Sequence, residues 1–219
     1  MTHDSTPNAA PPRLWDISQT LRTNLPVWPG DTPFAARRTW DMGAGSPVNV
    51  SAFEASTHAG THADAPLHYA AAGAASADVD LTPYLGPCRV VDARMCGAVI
   101  EADFVERLGA LPPRVLFRTY DAFPHGAWRS DFATVSAAAI AGLARRRVRL
   151  VGLDSPSLDP EDSKTMDAHQ AVLAADMRIL EGLVLDEVPP GDYELIALPL
   201  KLEGLDAAPV RAVLRETGR

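Results

Sequence analysis

The chain has 219 residues, 47% hydrophobic and 22% charged, with 19 prolines. That length suits one well-buried domain, and the prolines argue against an all-helical bundle. The formal net charge of −8 repels phosphate backbones and anionic membrane surfaces, so nucleic acid and membrane are set aside as partners.

Taken in chain order, the opening MTHDSTPNAAPPR lacks the apolar core of a signal peptide. Residues 1–12 are expected to form a disordered tail, with His3 incidental, ahead of a single domain over 13–219. LWDIS (14–18) is the first strand candidate and VNVSAFEA (48–55) the second. Next comes STHAGTHADAPLHY (56–69), a stretch rich in metal-ligand residue types. CRVVDA (88–93) and RVLFRT (114–119) are further strands, separated by a helix at EADFVERLGA (101–110). A second helix is expected over TVSAAAIAGLARRR (134–147). Ile140, Leu143 and Ala144 share one of its faces, and basic residues fill its last turn, where they suit the helix dipole. Its Arg145–Arg147 run reads as a solvated helix end. RLVGLD (149–154) and ELIALP (194–199) complete the strands, all short, β-branched and bounded by Pro, Gly or Asp. A sheet core with a few covering helices follows, in the α/β or α+β class.

The two cysteines, Cys88 and Cys96, make no disulfide framework and no CxxC pair. They read as packing thiols in a reducing cytoplasm. No run approaches the 18 apolar residues of a membrane span. HGAW (125–128) is faintly similar to the oxyanion loop of serine hydrolases. The matching GxSxG elbow is absent, because GLDSP puts proline after Ser155, so His125 is read as a loop residue.

Three of the six histidines and one carboxylate fall within eleven residues, at His58, His62, Asp64 and His68. A helix fits poorly, because Gly60, Thr61 and Pro66 interrupt it and no HExxH pattern is present. In an extended chain, residues of one parity share a face, and all four are even-numbered. Gly60 lies on the same face, where it would leave room for an ion. Two neutral imidazoles and a carboxylate make an open zinc shell; Mn²⁺ and Fe²⁺ accept the same ligands.

Farther along, His169 and Glu181 are twelve residues apart. On one helix they would be about 18 Å apart along the axis and about 120° apart around it. The segment is therefore expected to break near ADM (175–177), with RILEGL returning as a strand and Gly182 letting backbone approach the site. Spacing alone leaves His169 between a helix-end histidine and a ligand. It leaves Glu181 between a solvated carboxylate and a ligand.

HAGTHADAPLH resembles the HxGTHxDxPxH motif of the cyclase-like, metal-dependent hydrolases. Further blocks narrow the resemblance: VWPGDTPF (27–34), GSPVNVS (45–51), DLTPYLGPCRVVD (80–92), PPRVLFRTY (112–120), LDSPSLDPEDSKTMDAH (153–169) and ILEGLVLDEVPPGDYELIALPLKLEGLDAAPVRAVLR (179–215). Together they are similar to the bacterial kynurenine formamidases, the arylformamidases of tryptophan catabolism. The resemblance implies a layered β/β/α sandwich of the swivelling type, in the α/β class, and a homodimer. It implies two zinc ions per subunit, with manganese as the alternative ion. His58, His62 and Asp64 would bind one ion and His169 the other, with Asp64 and Glu181 bridging. His68 would be proton donor and acceptor, with a third imidazole ligand as its competing role. Trp28 would contact the aromatic substrate.

The implied reaction is hydrolysis of N-formyl-L-kynurenine to L-kynurenine and formate. Isatin hydrolase, or another cyclic amide or ester hydrolase of the superfamily, is the alternative. A metal-binding module without catalysis is the alternative of another class.

Overall fold

A computed structural model of the chain describes residues 12–43 and 45–217. The expected tail, His3 included, lies outside the described residues except for residue 12. The strands are β1 (Leu14–Asp16), β2 (Ala35–Trp40), β3 (Val50–Glu54), β4 (His62–Asp64), β5 (Leu85–Asp92), β6 (Val99–Ile100), β7 (Arg114–Arg118), β8 (Thr134–Val135), β9 (Leu150–Leu153), β10 (Arg178–Glu181), β11 (Gly191–Ile196), β12 (Ala207–Pro209) and β13 (Val213–Glu216). The helices are α1 (Ala102–Arg107), α2 (Ala137–Arg145) and α3 (Asp167–Ala174).

Nine strands form one mixed sheet in the order β1-β13-β11-β5-β7-β9-β10-β4-β12. Its middle, β5, β7, β9 and β10, is parallel. Parallel neighbours need crossovers of a dozen or more residues, and α1, α2 and α3 fall in those three crossovers.

Alternation along the central strands sends side chains to two cores. Val115 and Phe117 of β7, Val151 and Leu153 of β9, and Ile179 of β10 pack with Val105, Ile140, Leu143 and Val172 of the helices. Leu116, Leu150 and Leu180 point the other way, into a core shared with Ala63, Leu195 and Leu214. Those partners belong to β4, β11 and β13, toward the two ends of the sheet. The sheet therefore curls over itself and gives the expected β/β/α layering. Burial on both faces explains why VLF and LVGL read as continuous apolar runs.

All six expected strands and both expected helices are present, with ends moved by a few residues. Ser136 caps α2 by accepting from Ala139 N–H, as N-cap serines do. The end of α2 is not simply solvated: the Arg146 guanidinium donates to the Val105 and Leu108 carbonyls and ties α2 to α1. Cys88 is buried and Cys96 partly so, both as free thiols. The β2–β3 hairpin forms its own two-stranded sheet and leaves Trp40 58% and Phe53 61% exposed. Among the described residues, no helix is long and apolar enough to cross a membrane.

Candidate metal centre

β4 runs antiparallel between β10 and β12. The register sets His62 opposite Glu181 and Asp64 opposite Ile179. His62 and Asp64 lie two residues apart on one strand, so they share a face. The expected extended run stops there. His58 sits in a turn before β4, and His68 closes a 3₁₀ turn over Pro66–His68. Turns, not strand parity, bring these two to the site, and the bend past Pro66 is the one its ring favours.

Gly60 has another role than the one expected. Its φ is +69°, and a Cβ there would stand 2.8 Å from Leu21 Cδ2. The glycine serves the left-handed turn and the close approach of Leu21. Gly182 does let backbone come close: φ is +63°, and its Cβ would be 2.7 Å from the Gly60 oxygen.

α3 carries His169 and ends at Ala174, after which Asp176 turns with φ +49° into β10. The break expected near 175–177 is there, and it returns Glu181 toward His169. The His169 Nε2–Glu181 Oε1 distance is 3.6 Å.

Five side chains converge on one buried point. Asp64 Oδ1 is 3.1 Å from His58 Nδ1 and 3.3 Å from His62 Nε2. Asp64 Oδ2 is 3.3 Å from His169 Nε2, and Glu181 Oε2 is 3.5 Å from His62 Nε2. These are not satisfied hydrogen bonds. Among the described residues, His62 Nε2, His169 Nε2 and both Asp64 oxygens are buried without a hydrogen-bond partner. Orphaned buried polar atoms are costly. Donors around one four-coordinate zinc, each at about 2.1 Å, stand about 3.4 Å apart. The observed spacings and the N/O donor set therefore fit a divalent ion. His62, Asp64 and Glu181 form one compact ligand-type group, and His58, Asp64 and His68 another.

Each of the three buried or half-buried histidines is braced from behind, as metal-binding imidazoles are. His62 Nδ1 faces the Gly60 carbonyl at 3.0 Å. His169 Nδ1 faces Asp159 Oδ2 at 2.6 Å, and the same carboxylate accepts from the Ala168 and His169 N–H groups in the first turn of α3. His58 Nε2 faces Asp206 Oδ2 at 3.1 Å. Glu181 is steadied by the Leu158 N–H, which donates to its Oε1 at 2.9 Å.

Charge follows the same geometry. Burial opposes a charged His62, but Asp64 and Glu181 outweigh it and raise its pKa to about 10. Burial also opposes a charged His169, which Asp159 and Asp64 raise to about 10. Burial pushes the Asp64 carboxyl up, yet the histidines around it hold it well below its ordinary value. Buried carboxylates here demand positive charge, which a metal cation supplies.

His58, His62, His169 and Glu181 of the cluster line a cavity of about 560 Å³. Trp28, Tyr120, Phe123 and Trp128 supply apolar walls, while Arg129 and Glu161 add charge. The Trp28 and Trp128 rings meet edge to face at 5.3 Å. His68 also lines the cavity, its side chain 30% exposed. Six of the seven site residues expected from the sequence thus line one cavity, and the seventh, Asp64, is buried behind them against His58, His62 and His169.

Sequence reasoning missed Asp159, Asp206 and Trp128. HGAW, whose similarity to an oxyanion loop lacks its GxSxG partner, delivers Trp128 to the cavity wall, where its Nε1–H donates to Glu161 Oε2 at 2.9 Å. Asp206 directly precedes β12 (Ala207–Pro209), a strand not expected from the sequence.

Comparison with known proteins agrees with this architecture. The family described as "Putative cyclase" matches residues 15–160. The kynurenine formamidase of Erythrobacter litoralis (strain HTCC2594) is 57% identical over 205 residues, covering 93% of this chain and 94% of that protein. A solved structure described as a potential metal-dependent hydrolase with cyclase activity is 30% identical and superposes with a TM-score of 0.82, over 95% of this chain and 100% of that chain. Isatin hydrolase A from Ralstonia solanacearum, 24% identical, has the same fold, with a TM-score of 0.81 over 93% of this chain and 92% of that one.

Proposed function

We propose a function on one premise: the chain belongs to the cyclase family and, within it, to the kynurenine formamidases. It is an arylformamidase, a metal-dependent hydrolase that converts N-formyl-L-kynurenine and water to L-kynurenine and formate in tryptophan degradation. One observation carries this reading: 57% identity to a kynurenine formamidase across 93% of the chain. The isatin hydrolase relationship, at 24% identity, supports a shared fold only.

His58, His62 and Asp64 would hold one ion and His169 a second, with Asp64 and Glu181 shared between them. The convergence of their donor atoms supports this assignment. We take the ions to be zinc, with manganese as the alternative that the same donors accept. A divalent ion there supplies Lewis-acid chemistry, activating water near neutral pH and polarising the formyl oxygen.

The chain's own residues do the rest. Trp28, Phe123 and Trp128 border the cavity, so they can hold the substrate's aryl ring and exclude bulk water. The bond to be cleaved is a formanilide amide, and its nitrogen leaves as an aniline that needs a proton. His68 is the donor: its imidazole borders the same cavity, and imidazole is the side-chain type suited to passing a proton near neutral pH. The substrate's amino-acid tail carries one positive and one negative charge. Arg129, paired with Asp131, and Glu161, which accepts from Trp128, line the cavity and carry charges opposite in sign to those of the tail. Isatin has no such tail.

We further propose a cytoplasmic homodimer. The free thiols suit a reducing compartment. The exposed Trp40, Met42, Val48 and Phe53 on or beside the β2–β3 hairpin form the kind of apolar surface that a second subunit covers.

Parallel assays on N-formyl-L-kynurenine and isatin test the substrate assignment. The formamide should be hydrolysed with a kcat/KM at least 100-fold higher. Equal or reversed preference would move the chain to the cyclic-amide branch.

A further inference from the structure

One oxygen of Asp206 serves two imidazoles. Asp206 Oδ2 is 3.1 Å from His58 Nε2 and 3.4 Å from His68 Nδ1. The other oxygen, Oδ1, accepts from Thr57 Oγ1 at 3.0 Å, which fixes the carboxylate's rotation. The backbone is held as well: Ala65 N–H donates to the Asp206 carbonyl at 2.9 Å, just before β12 pairs with β4. His58 and His68 are thereby drawn together, with ring centroids 4.3 Å apart.

An ionised carboxylate only accepts hydrogen bonds. Each imidazole must therefore present an N–H to Asp206, and that choice decides which ring nitrogen keeps its lone pair. For His58 the free atom is Nδ1, which stands 3.1 Å from Asp64 Oδ1. For His68 it is Nε2, on the opposite side of the ring from Asp206. The braces behind His62 and His169 serve one imidazole each.

We infer that Asp206 is a positioning residue that sets the tautomers of His58 and His68 together. It turns His58 Nδ1 to the metal and leaves His68 Nε2 as the atom that exchanges a proton with the leaving nitrogen. The second half rests on the proposed role of His68. Asp206 thus links metal holding to proton delivery through one oxygen atom.

The test uses zinc-loaded protein with ¹⁵N-labelled histidine, in wild type, Asp206→Ala, Asp206→Asn and Thr57→Val. Long-range ¹H–¹⁵N spectra read the tautomers. Competition with a chromophoric chelator reads zinc affinity. Steady-state assays on N-formyl-L-kynurenine separate kcat from KM, and thermal unfolding checks the fold. His68 should be Nδ1–H in the wild type, against the Nε2–H form that an imidazole favours in water. Asp206→Ala should turn it to Nε2–H and weaken zinc about 10–100-fold. It should also lower kcat about 100-fold, with KM changed by less than about threefold. Asp206→Asn, close in size and expected to unfold near the wild-type midpoint, should move all three in the same direction. Thr57→Val should do so by less. An Nε2–H form of His68 in the wild type would overturn the inference. So would unchanged histidine signals and zinc affinity in Asp206→Ala. Neither readout involves substrate, so a wrong substrate assignment would leave both standing.

Discussion

Glu181 stands directly across from His62 in the antiparallel pairing of β10 with β4, and its Oε2 lies 3.5 Å from His62 Nε2. The pairing joins residues 119 positions apart in sequence, so sheet register builds this part of the site. Glu181 also accepts from Leu158 N–H and faces His169, which places one carboxylate between two histidines.

Glu181→Gln separates those functions. The amide oxygen can still accept from Leu158, so the fold should persist, with a melting shift of a few degrees. The negative charge is gone and one ligand oxygen becomes a poor donor. Bound metal per subunit, by elemental analysis, should fall, and kcat should fall at least about 100-fold. A fully metallated variant would refute the ligand role.

His68→Ala should behave differently. His68 is partly exposed and ends a short turn, so its loss should cost under about 1 kcal/mol of stability. Metal content should stay at the wild-type level while kcat falls about 10²–10⁴-fold, the range for a lost general acid or base. Loss of metal in this variant would favour the competing role of a third imidazole ligand.

These two histidine settings mark what the sequence made legible. His62 and Asp64 are two apart on a real strand, so alternation found them. His58 and His68 belong to the same short stretch but are placed by turns, whose geometry depends on Gly60 and Pro66. The helix break after Ala174 was readable because one helix could not bring His169 and Glu181 together. Asp206 was not readable from spacing: its partners lie 148 and 138 residues away, joined only by β12 pairing with β4. Asp159 was hidden for a related reason, since it caps a helix from a preceding loop. The curl of the sheet was implied by family resemblance, not by any periodicity.

Asp154 gives a pH prediction. Burial raises its pKa to about 6, against hydrogen bonds from Thr119 and Tyr120 that lower it. The unfolded value is near 3.8, so the folded state binds the proton more tightly. Its contribution is fully present below about pH 3.8 and is lost as pH rises through about 6. Asp154→Asn removes this dependence. Urea unfolding of both proteins at pH 4 and pH 7.5 should show the wild type losing up to about 3 kcal/mol relative to the variant. Parallel pH profiles would contradict the burial of an ionisable Asp154.

The hairpin tests the proposed assembly. Trp40 and Phe53 are 58% and 61% exposed, so charging both should leave the folded subunit intact. Trp40→Glu with Phe53→Glu should convert a dimer to a monomer by light scattering, with a Tm change of a few degrees beyond that from dissociation. A dimer that survives the double change places the interface elsewhere.

The most direct test of the central claim follows hydrolysis of N-formyl-L-kynurenine by kynurenine absorbance. It uses protein stripped by chelator and the same protein after zinc or manganese is restored. Turnover should vanish on stripping and return with either ion. Turnover that persists in verified metal-free protein would contradict the account, as would its absence from fully reloaded protein.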